Sequence, residues 1–111
     1  MSINEKEYEK MLNLFNKRGP FTIHWKNGLI TRCISDYGVN ETSMDEDDEG
    51  YVGYYYTTVK VEEIVEKGTD DTVAMYDATY MGECVGTYIE INLKNIPRKI
   101  MAKDNTVLWQ E

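Results

Sequence analysis

Residues 21–38 read FTIHWKNGLITRCISDYG, and this stretch predicts the strand pairing around which the rest of the chain is arranged. Apolar and polar residues alternate from Phe21 to Trp25, as they do in a strand with one buried face. Asn27-Gly28 follows, and this dipeptide is typical of a two-residue β-hairpin turn because both positions tolerate positive φ. The apolar run after it supplies the second strand of a predicted hairpin over residues 21–36.

A two-residue turn fixes the register of this hairpin by placing Lys26 opposite Leu29. The cross-strand pairs predicted for the apolar face are Trp25 with Ile30, Ile23 with Arg32, and Phe21 with Ile34. Arg32 is the exception on that face, and we expect its stem to lie along the core edge while its guanidinium reaches an acid. His24 is predicted opposite Thr31 on the other face.

A helix over residues 3–17 is predicted ahead of the hairpin. Ser2 and Glu5 have the spacing of a capping box, with Ser2 as the N-cap. Gly19-Pro20 ends the pattern, because glycine suits the position past a helix and proline cannot continue one. The residues at helical spacing on the predicted buried face are Tyr8, Met11, Leu12 and Phe15.

The chain after the hairpin predicts a polar acidic loop over residues 39–50 and a strand over 51–61. Residues 61–65 fit either the end of that strand or one helical turn. A second hairpin is predicted over residues 73–93, across Gly82-Glu83, with Tyr76 opposite Ile89 and Ala74 opposite Ile91 on one face. Two short C-terminal strands are predicted within residues 99–109.

One helix followed by about six short strands predicts an α+β fold. We expect a single domain over residues 1–111, with the N-terminal helix packed on a curled antiparallel sheet or small β-barrel. The leading helix and the hairpin of residues 21–38 resemble the start of an Sm-like small β-barrel. This resemblance implies a small barrel, but the acidic insertion and the later hairpin depart from the family pattern.

Charge is distributed unevenly along the chain, whose formal net charge is −8. Residues 36–90 hold fifteen acidic and two basic residues, whereas the flanks hold five acidic and ten basic residues. Direct nucleic-acid binding is disfavoured, because it requires Lys and Arg to neutralise phosphates. The acidic middle indicates either simple solubility or a basic partner surface.

The sequence offers little for catalysis, so we expect a protein that is not an enzyme and has no cofactor. His24 is the single histidine, and no nucleophile motif accompanies it. Residues 45–50 partly follow an EF-hand calcium loop, but the twelfth position is Tyr56 rather than a glutamate. A solvated acidic loop is therefore the preferred interpretation, and no metal site is predicted.

The compartment is predicted from the cysteines and the N-terminus. Cys33 and Cys84 are expected to be two buried thiols rather than a disulfide. The first residues show no signal peptide, and no apolar run has the length of a membrane span. We therefore expect a cytoplasmic protein.

The predicted function is that of a non-catalytic acidic inhibitor. Its acidic loop and the following tyrosine-rich strand would dock on the basic nucleic-acid-binding groove of a partner such as a nuclease. In type it is similar to small acidic phage-borne inhibitors such as anti-CRISPR proteins, and to immunity proteins of nuclease toxins. The predicted partner-binding residues are Asp45, Glu46, Asp47, Asp48, Glu49, Tyr51, Tyr54 and Tyr56.

Two alternatives remain open at this point. The first is a small-barrel scaffold that self-assembles into a homo-oligomer through strand edges. The second is a small-ligand-binding module with aromatic residues at the mouth of a barrel. The aromatic residues proposed for that mouth are Trp25, Tyr76, Tyr80 and Trp109.

Overall fold

The fold is α+β, with one N-terminal helix packed on a curled antiparallel sheet, as the sequence predicted. The structure is a computed structural model, and it describes residues 4–41, 45, 47–49, 55–69, 86 and 88–111. The helical elements are α1 (Glu5–Leu12) and a 3₁₀ turn (Asn13–Asn16). The strands are β1 (Phe21–His24), β2 (Ile30–Glu41), β3 (Tyr55–Glu66), β4 (Tyr88–Ile91), β5 (Lys99–Ala102) and β6 (Val107–Gln110).

The described strands form one six-stranded sheet in the order β4-β3-β2-β1-β5-β6. All the pairings are antiparallel. The longest strands, β2 and β3, have 12 residues each and lie on the β4 side of β1. Strands β4 and β6 are the outermost members of the sheet in the described part of the chain.

The helix begins at a different cap from the one predicted. Asn4 is the N-cap, and its side-chain oxygen accepts a hydrogen bond from the Glu7 N–H at 2.8 Å. Ser2, the predicted cap, lies outside the described residues. An asparagine side chain satisfies a helix-start donor as well as serine does. The helical segment ends at Asn16, after which Lys17 is extended. The predicted boundaries of 3 and 17 are therefore too wide.

The turn of the first hairpin has three residues, so the predicted register is wrong by one position. The Trp25 N–H donates to the Leu29 carbonyl at 2.8 Å, and the Gly28 N–H donates to the Trp25 carbonyl at 3.2 Å. Gly28 has φ +87°, so it is the residue in the left-handed conformation that closes a three-residue loop. The Asn27 side chain accepts from the Leu29 N–H at 3.1 Å and stabilises this longer turn.

The corrected register changes which side chains face the core. The observed pairs are Phe21–Cys33, Thr22–Arg32, Ile23–Thr31 and His24–Ile30. Thr31 is therefore buried, and Arg32 lies exposed on the opposite face, 3.5 Å from the Glu63 carboxylate. Arg32 does reach an acid as expected, but not from the core edge.

Strand β2 is longer than predicted, and it includes residues 39–41, which the sequence assigned to the acidic loop. Pairing continues past residue 36 to Glu41, which lies opposite Tyr55. The register shifts between Ser35 and Val39, where Gly38 has φ +73°. Because of this irregularity, β2 continues beyond the residues that resemble a strand end in the sequence. Strand β3 runs to Glu66, so residues 61–65 are strand rather than helix.

The second predicted hairpin is described only in its later arm. Strand β4 pairs with β3, with Ile89 opposite Val59 and Ile91 opposite Thr57. Ile89 and Ile91 are both fully buried, so they share one face as predicted. The partner arm over residues 73–81, with Cys84 and the Gly82-Glu83 turn, lies outside the described residues.

The core lies between α1 and one face of the sheet. The helical segment contributes the four side chains predicted for its buried face, and each is at most 2% exposed. The sheet residues that lie against them include Ile23, Trp25, Leu29, Val59, Val61, Ile89, Ile91 and Ile100. Trp25 donates from Nε1 to the Thr31 hydroxyl at 3.0 Å, and that hydroxyl lies 3.0 Å from Cys33 Sγ.

Ser35 connects the 3₁₀ turn to β2. Its buried hydroxyl donates to the Phe15 carbonyl, and its N–H donates to the Arg18 carbonyl at 2.7 Å. Among the described residues, no buried side-chain nitrogen or oxygen lacks a hydrogen-bond partner. Removing this hydroxyl would therefore leave a buried carbonyl oxygen without the donor it has in the native state.

We predict that Ser35→Ala lowers the free energy of unfolding by about 1–3 kcal/mol, because the Phe15 carbonyl loses its hydroxyl donor inside the protein. Urea denaturation followed by tryptophan fluorescence measures the change. Thr22→Ala, on the opposite face of the sheet, is the control and should change stability by no more than about 0.5 kcal/mol. Equal effects of the two substitutions would show that the Ser35 contact contributes nothing.

Candidate functional site

The acidic segment leaves the sheet at the last residue pair of β2 and β3. Glu41 ends β2 opposite Tyr55, which begins β3. The side chains of Glu41, Asp45, Asp47, Asp48 and Glu49 are all exposed. We call these five residues the acidic tip. Glu46, Tyr51 and Tyr54, which the sequence also nominated, lie outside the described residues.

Asp48 has a structural role within the acidic tip. The Asp45 N–H donates to the Asp48 carboxylate at 2.8 Å, and the Asp48 N–H donates to the Asp45 carbonyl at 2.9 Å. The two bonds close a tight turn, as aspartate side chains commonly do. The carboxylates of Asp45, Asp47 and Glu49 project from this turn in exposed positions where a partner can reach them.

Tyr56, the last residue nominated from sequence, is half-buried on β3 opposite Asn40. Thr57 and Val59 of the same strand lie on the core face. Because side chains alternate between the two faces of a strand, Tyr56 lies on the face away from α1. Tyr55, which the sequence analysis missed, lies on the α1 side and packs against the core. The alternation of side chains along β3 distinguishes the two tyrosines, because it places Tyr55 on the core face and Tyr56 on the opposite face.

A pocket lies beside the acidic tip, between α1 and the ends of β2 and β3. Its volume is about 270 Å³. The residues that line it are Glu9, Leu12, Asn13, Val39 and Tyr55. A smaller depression adjoins it and shares Glu9 and Tyr55. Sequence reasoning missed this pocket, because it forms between residues that are far apart in the chain.

The wall of the pocket is fixed by a hydrogen bond from the helix to the strand. The Tyr8 hydroxyl donates to the Tyr55 carbonyl at 2.6 Å. Burial, and secondarily the charge of Glu90, raise the pKa of Tyr8 well above its ordinary value. The hydroxyl therefore stays protonated and remains a donor throughout the physiological pH range.

The two flanks of α1 differ in charge. Glu5 and Glu9 lie four residues apart on the flank that faces Tyr55 and the acidic tip. Lys10 lies on the other flank together with Glu7, where the two oppositely charged residues line a groove with Leu108 and Trp109 of β6. The side of the helix next to the acidic tip is therefore its acidic side.

His24, the one candidate for acid–base chemistry, lies far from the acidic tip. It pairs with Ile30 and Lys99, at the end of β2 opposite Glu41. Burial lowers the pKa of His24, and the positive charges of Lys99 and Arg98 lower it further, while Glu66 opposes them. The ring is therefore neutral at neutral pH. Within the described residues, no group of three or more His, Cys, Asp or Glu could hold a metal ion.

The aromatic residues suggested for a barrel mouth do not gather in the described structure. Trp25 is 1% exposed and belongs to the core, so its assignment to a ligand-binding mouth is wrong. Trp109 is half-buried on β6, and Tyr76 and Tyr80 lie outside the described residues. No helix in the described part of the chain is long and apolar enough to cross a membrane.

Comparison with known proteins places the chain in a described family. A family model described as "Cognate immunity protein YxxD" matches residues 4–111. No curated protein matches the chain. No solved structure matches it either, so the resemblance to Sm-like barrels is not confirmed.

We predict that the free energy of unfolding falls as the pH is lowered below 6.5, the ordinary pKa of histidine. The folded state binds the His24 proton less readily than the unfolded chain does, so protonation favours unfolding. Urea denaturation at about pH 7.5 and about pH 5 measures the loss. The loss should be smaller in His24→Gln, and an unchanged loss would contradict the proposed environment of His24.

Proposed function

The chain belongs to the YxxD family of cognate immunity proteins, and we propose that it protects against a partner toxin by binding it through the acidic tip. A cognate immunity protein acts by binding its own toxin, so its task is recognition rather than catalysis. The observation that carries the proposal is the acidic tip itself, whose five exposed carboxylates begin with Glu41 at the end of β2 and continue beyond it.

The charge of the acidic tip indicates what the toxin surface should look like. Opposite charges across an interface accelerate association and exclude wrong partners, more than they increase affinity. A toxin that acts on nucleic acid has a basic groove that binds phosphates. We therefore infer that the toxin is a nuclease or another nucleic-acid enzyme, and that carboxylates of the acidic tip occupy phosphate positions in its groove.

Such binding needs no chemistry from the immunity protein. A protein that covers the groove excludes the nucleic acid sterically and electrostatically, and this suffices for inhibition. The family match supports the immunity half of the expectation from sequence, and we carry the inhibitor proposal forward in that form rather than as an anti-CRISPR protein.

We predict that the triple substitution Asp45→Asn, Asp47→Asn and Glu49→Gln slows association with the purified cognate toxin by about tenfold or more at low salt. The reason is the loss of three exposed carboxylates at the contact, while Asp48 is kept because it holds the turn. Stopped-flow or surface-based kinetics measures the association rate. For the unsubstituted protein this rate should fall steeply as the salt concentration rises.

The matched control is Glu62→Gln, Glu63→Gln and Glu66→Gln, which changes the net charge equally. These three residues are exposed at the other end of β3, where Glu63 lies opposite Arg32 and Glu66 opposite Ile30, rather than beside the acidic tip. The control should associate nearly as fast as the unsubstituted protein. Equal slowing by both triple variants would indicate a response to net charge alone and would contradict docking through the acidic tip.

A second candidate function, self-assembly through strand edges, is favoured by one observation on β6. This strand is outermost in the described sheet, and Val107 and Leu108 are 47% and 38% exposed. Exposed apolar residues on an edge strand are a site where another chain can pair.

For the scaffold function, we predict a discrete oligomer in sedimentation analysis that Leu108→Lys converts to a monomer, because a charge on the edge opposes pairing. The acidic-tip triple variant is the control, and its oligomeric state should equal that of the unsubstituted protein. A monomer at all concentrations would exclude the scaffold function.

A further inference from the structure

We propose that the pocket between α1 and the β2–β3 ends receives an arginine side chain of the bound toxin. This inference rests on the proposed function and specifies the chemistry of the contact beside the acidic tip. The pocket is lined by Glu9, Leu12, Asn13, Val39 and Tyr55.

The size of the pocket suits a single side chain. Its volume of about 270 Å³ lies below the roughly 300–1,000 Å³ that is typical of small-molecule and cofactor sites. The pocket opens at the protein surface beside the acidic tip, so a residue that projects from a docked partner can reach it.

The walls divide into an apolar part and a polar part. Val39 and Tyr55 are half-buried against the hydrophobic core and offer apolar surface to an aliphatic stem, above the fully buried Leu12. The exposed side chains of Glu9 and Asn13 supply oxygen acceptors at the rim. Asn13 Oδ1 already accepts a hydrogen bond from Asn16 at 3.3 Å, which orients that amide and leaves a second lone pair on the oxygen.

Charge complementarity selects a cationic occupant. Among the described residues that line the pocket, Glu9 is the charged one, and Glu5 lies one helical turn away on the same flank. The acidic tip adds further negative charge at the neighbouring strand ends. A partner with a basic groove presents arginines and lysines at its surface, and these are the side chains that this region attracts.

Arginine fits this combination better than lysine. Its planar guanidinium can donate two parallel hydrogen bonds to one carboxylate and can lie against an aromatic ring such as that of Tyr55. Its desolvation on entering a partly apolar pocket is also less costly than that of a lysine ammonium.

The pocket is formed before any partner binds. One wall is helix and the other is strand, and the Tyr8–Tyr55 hydrogen bond of 2.6 Å joins them. Leu12 is fully buried beneath, so the floor cannot collapse without disturbing the core. A site that is already shaped loses little conformational entropy when it is occupied.

The test titrates the ¹⁵N-labelled protein with the peptide acetyl-Gly-Arg-Gly-amide and follows backbone amide shifts by NMR. We expect saturable shifts at Asn13, Val39 and Tyr55, with a dissociation constant on the order of millimolar. The matched peptide replaces arginine with citrulline, which has the same shape without the charge. It should bind about tenfold or more weakly, because it cannot form the charge-assisted bonds.

Two protein variants locate the contact. Glu9→Gln should weaken arginine-peptide binding about tenfold, because the carboxylate at the pocket is lost. Glu7→Gln removes an equal charge from the same helix, but Glu7 lines the groove toward β6, so this variant should bind like the unsubstituted protein. Both residues are exposed on α1, so neither substitution disturbs the core.

Three results would overturn the inference. These are equal binding of the citrulline peptide, equal effects of Glu9→Gln and Glu7→Gln, and no shifts at the pocket amides up to about 10 mM peptide. The titration uses no toxin, so its outcome is separate from that of the proposed function. If the toxin binds through the acidic tip but the pocket amides do not respond to the arginine peptide, this inference alone is overturned. If the pocket binds the arginine peptide but toxin binding does not depend on the acidic tip, only the proposed function is overturned.

Discussion

The pairing of β2 with β3 is the constraint on which the rest of the structure depends. These 12-residue strands carry β4 on one side and β1 with β5 and β6 on the other. Their core faces supply Cys33, Val59 and Val61, against which α1 packs. Because the pair runs as far as Glu41 and Tyr55, the acidic segment begins and ends at adjacent positions at the edge of the folded body.

The end of this strand pair brings together two kinds of recognition. The acidic tip is exposed and charged, and such groups mainly govern how fast and in which orientation a charged partner arrives. The pocket beside it combines apolar walls with one carboxylate, which suits a single buried contact of the kind that contributes strongly to affinity. Tyr55 connects the two features, since it pairs with Glu41 of the acidic tip and also lines the pocket.

Local patterns in the sequence predicted the parts of the fold that depend on local chemistry. The buried face of the helical segment, α1 with the 3₁₀ turn, follows from the spacing of Tyr8, Met11 and Phe15. The first hairpin follows from alternation around Asn27-Gly28. The predicted register was wrong by one position, because the Leu29 N–H donates a hydrogen bond to the Asn27 side chain and this bond favours a three-residue loop. The sequence pattern alone does not show whether that hydrogen bond makes the three-residue loop more stable than a two-residue turn.

Of the candidate site, only the acidic tip was predictable from the sequence. The run of acids after residue 44 is visible in the sequence, and the four of them that the structure describes are exposed. The pocket joins Glu9 to Tyr55, which lie far apart in the chain and meet only because α1 packs on β3. The extension of β2 past Gly38 was not predictable, because a glycine at this position resembles a strand end in the sequence. In the structure Gly38 has φ +73° and produces an irregularity within the strand.

The most direct test of docking through the acidic tip is amide hydrogen exchange on the protein with and without its purified toxin. Docking there predicts that binding slows exchange at Val39–Glu41, at Tyr55–Thr57 and in the first turns of α1. The amides of β5 and β6, on the other side of the sheet, should exchange at unchanged rates. Slower exchange confined to β5 and β6, with the β2–β3 end unaffected, would contradict the proposed mode of binding.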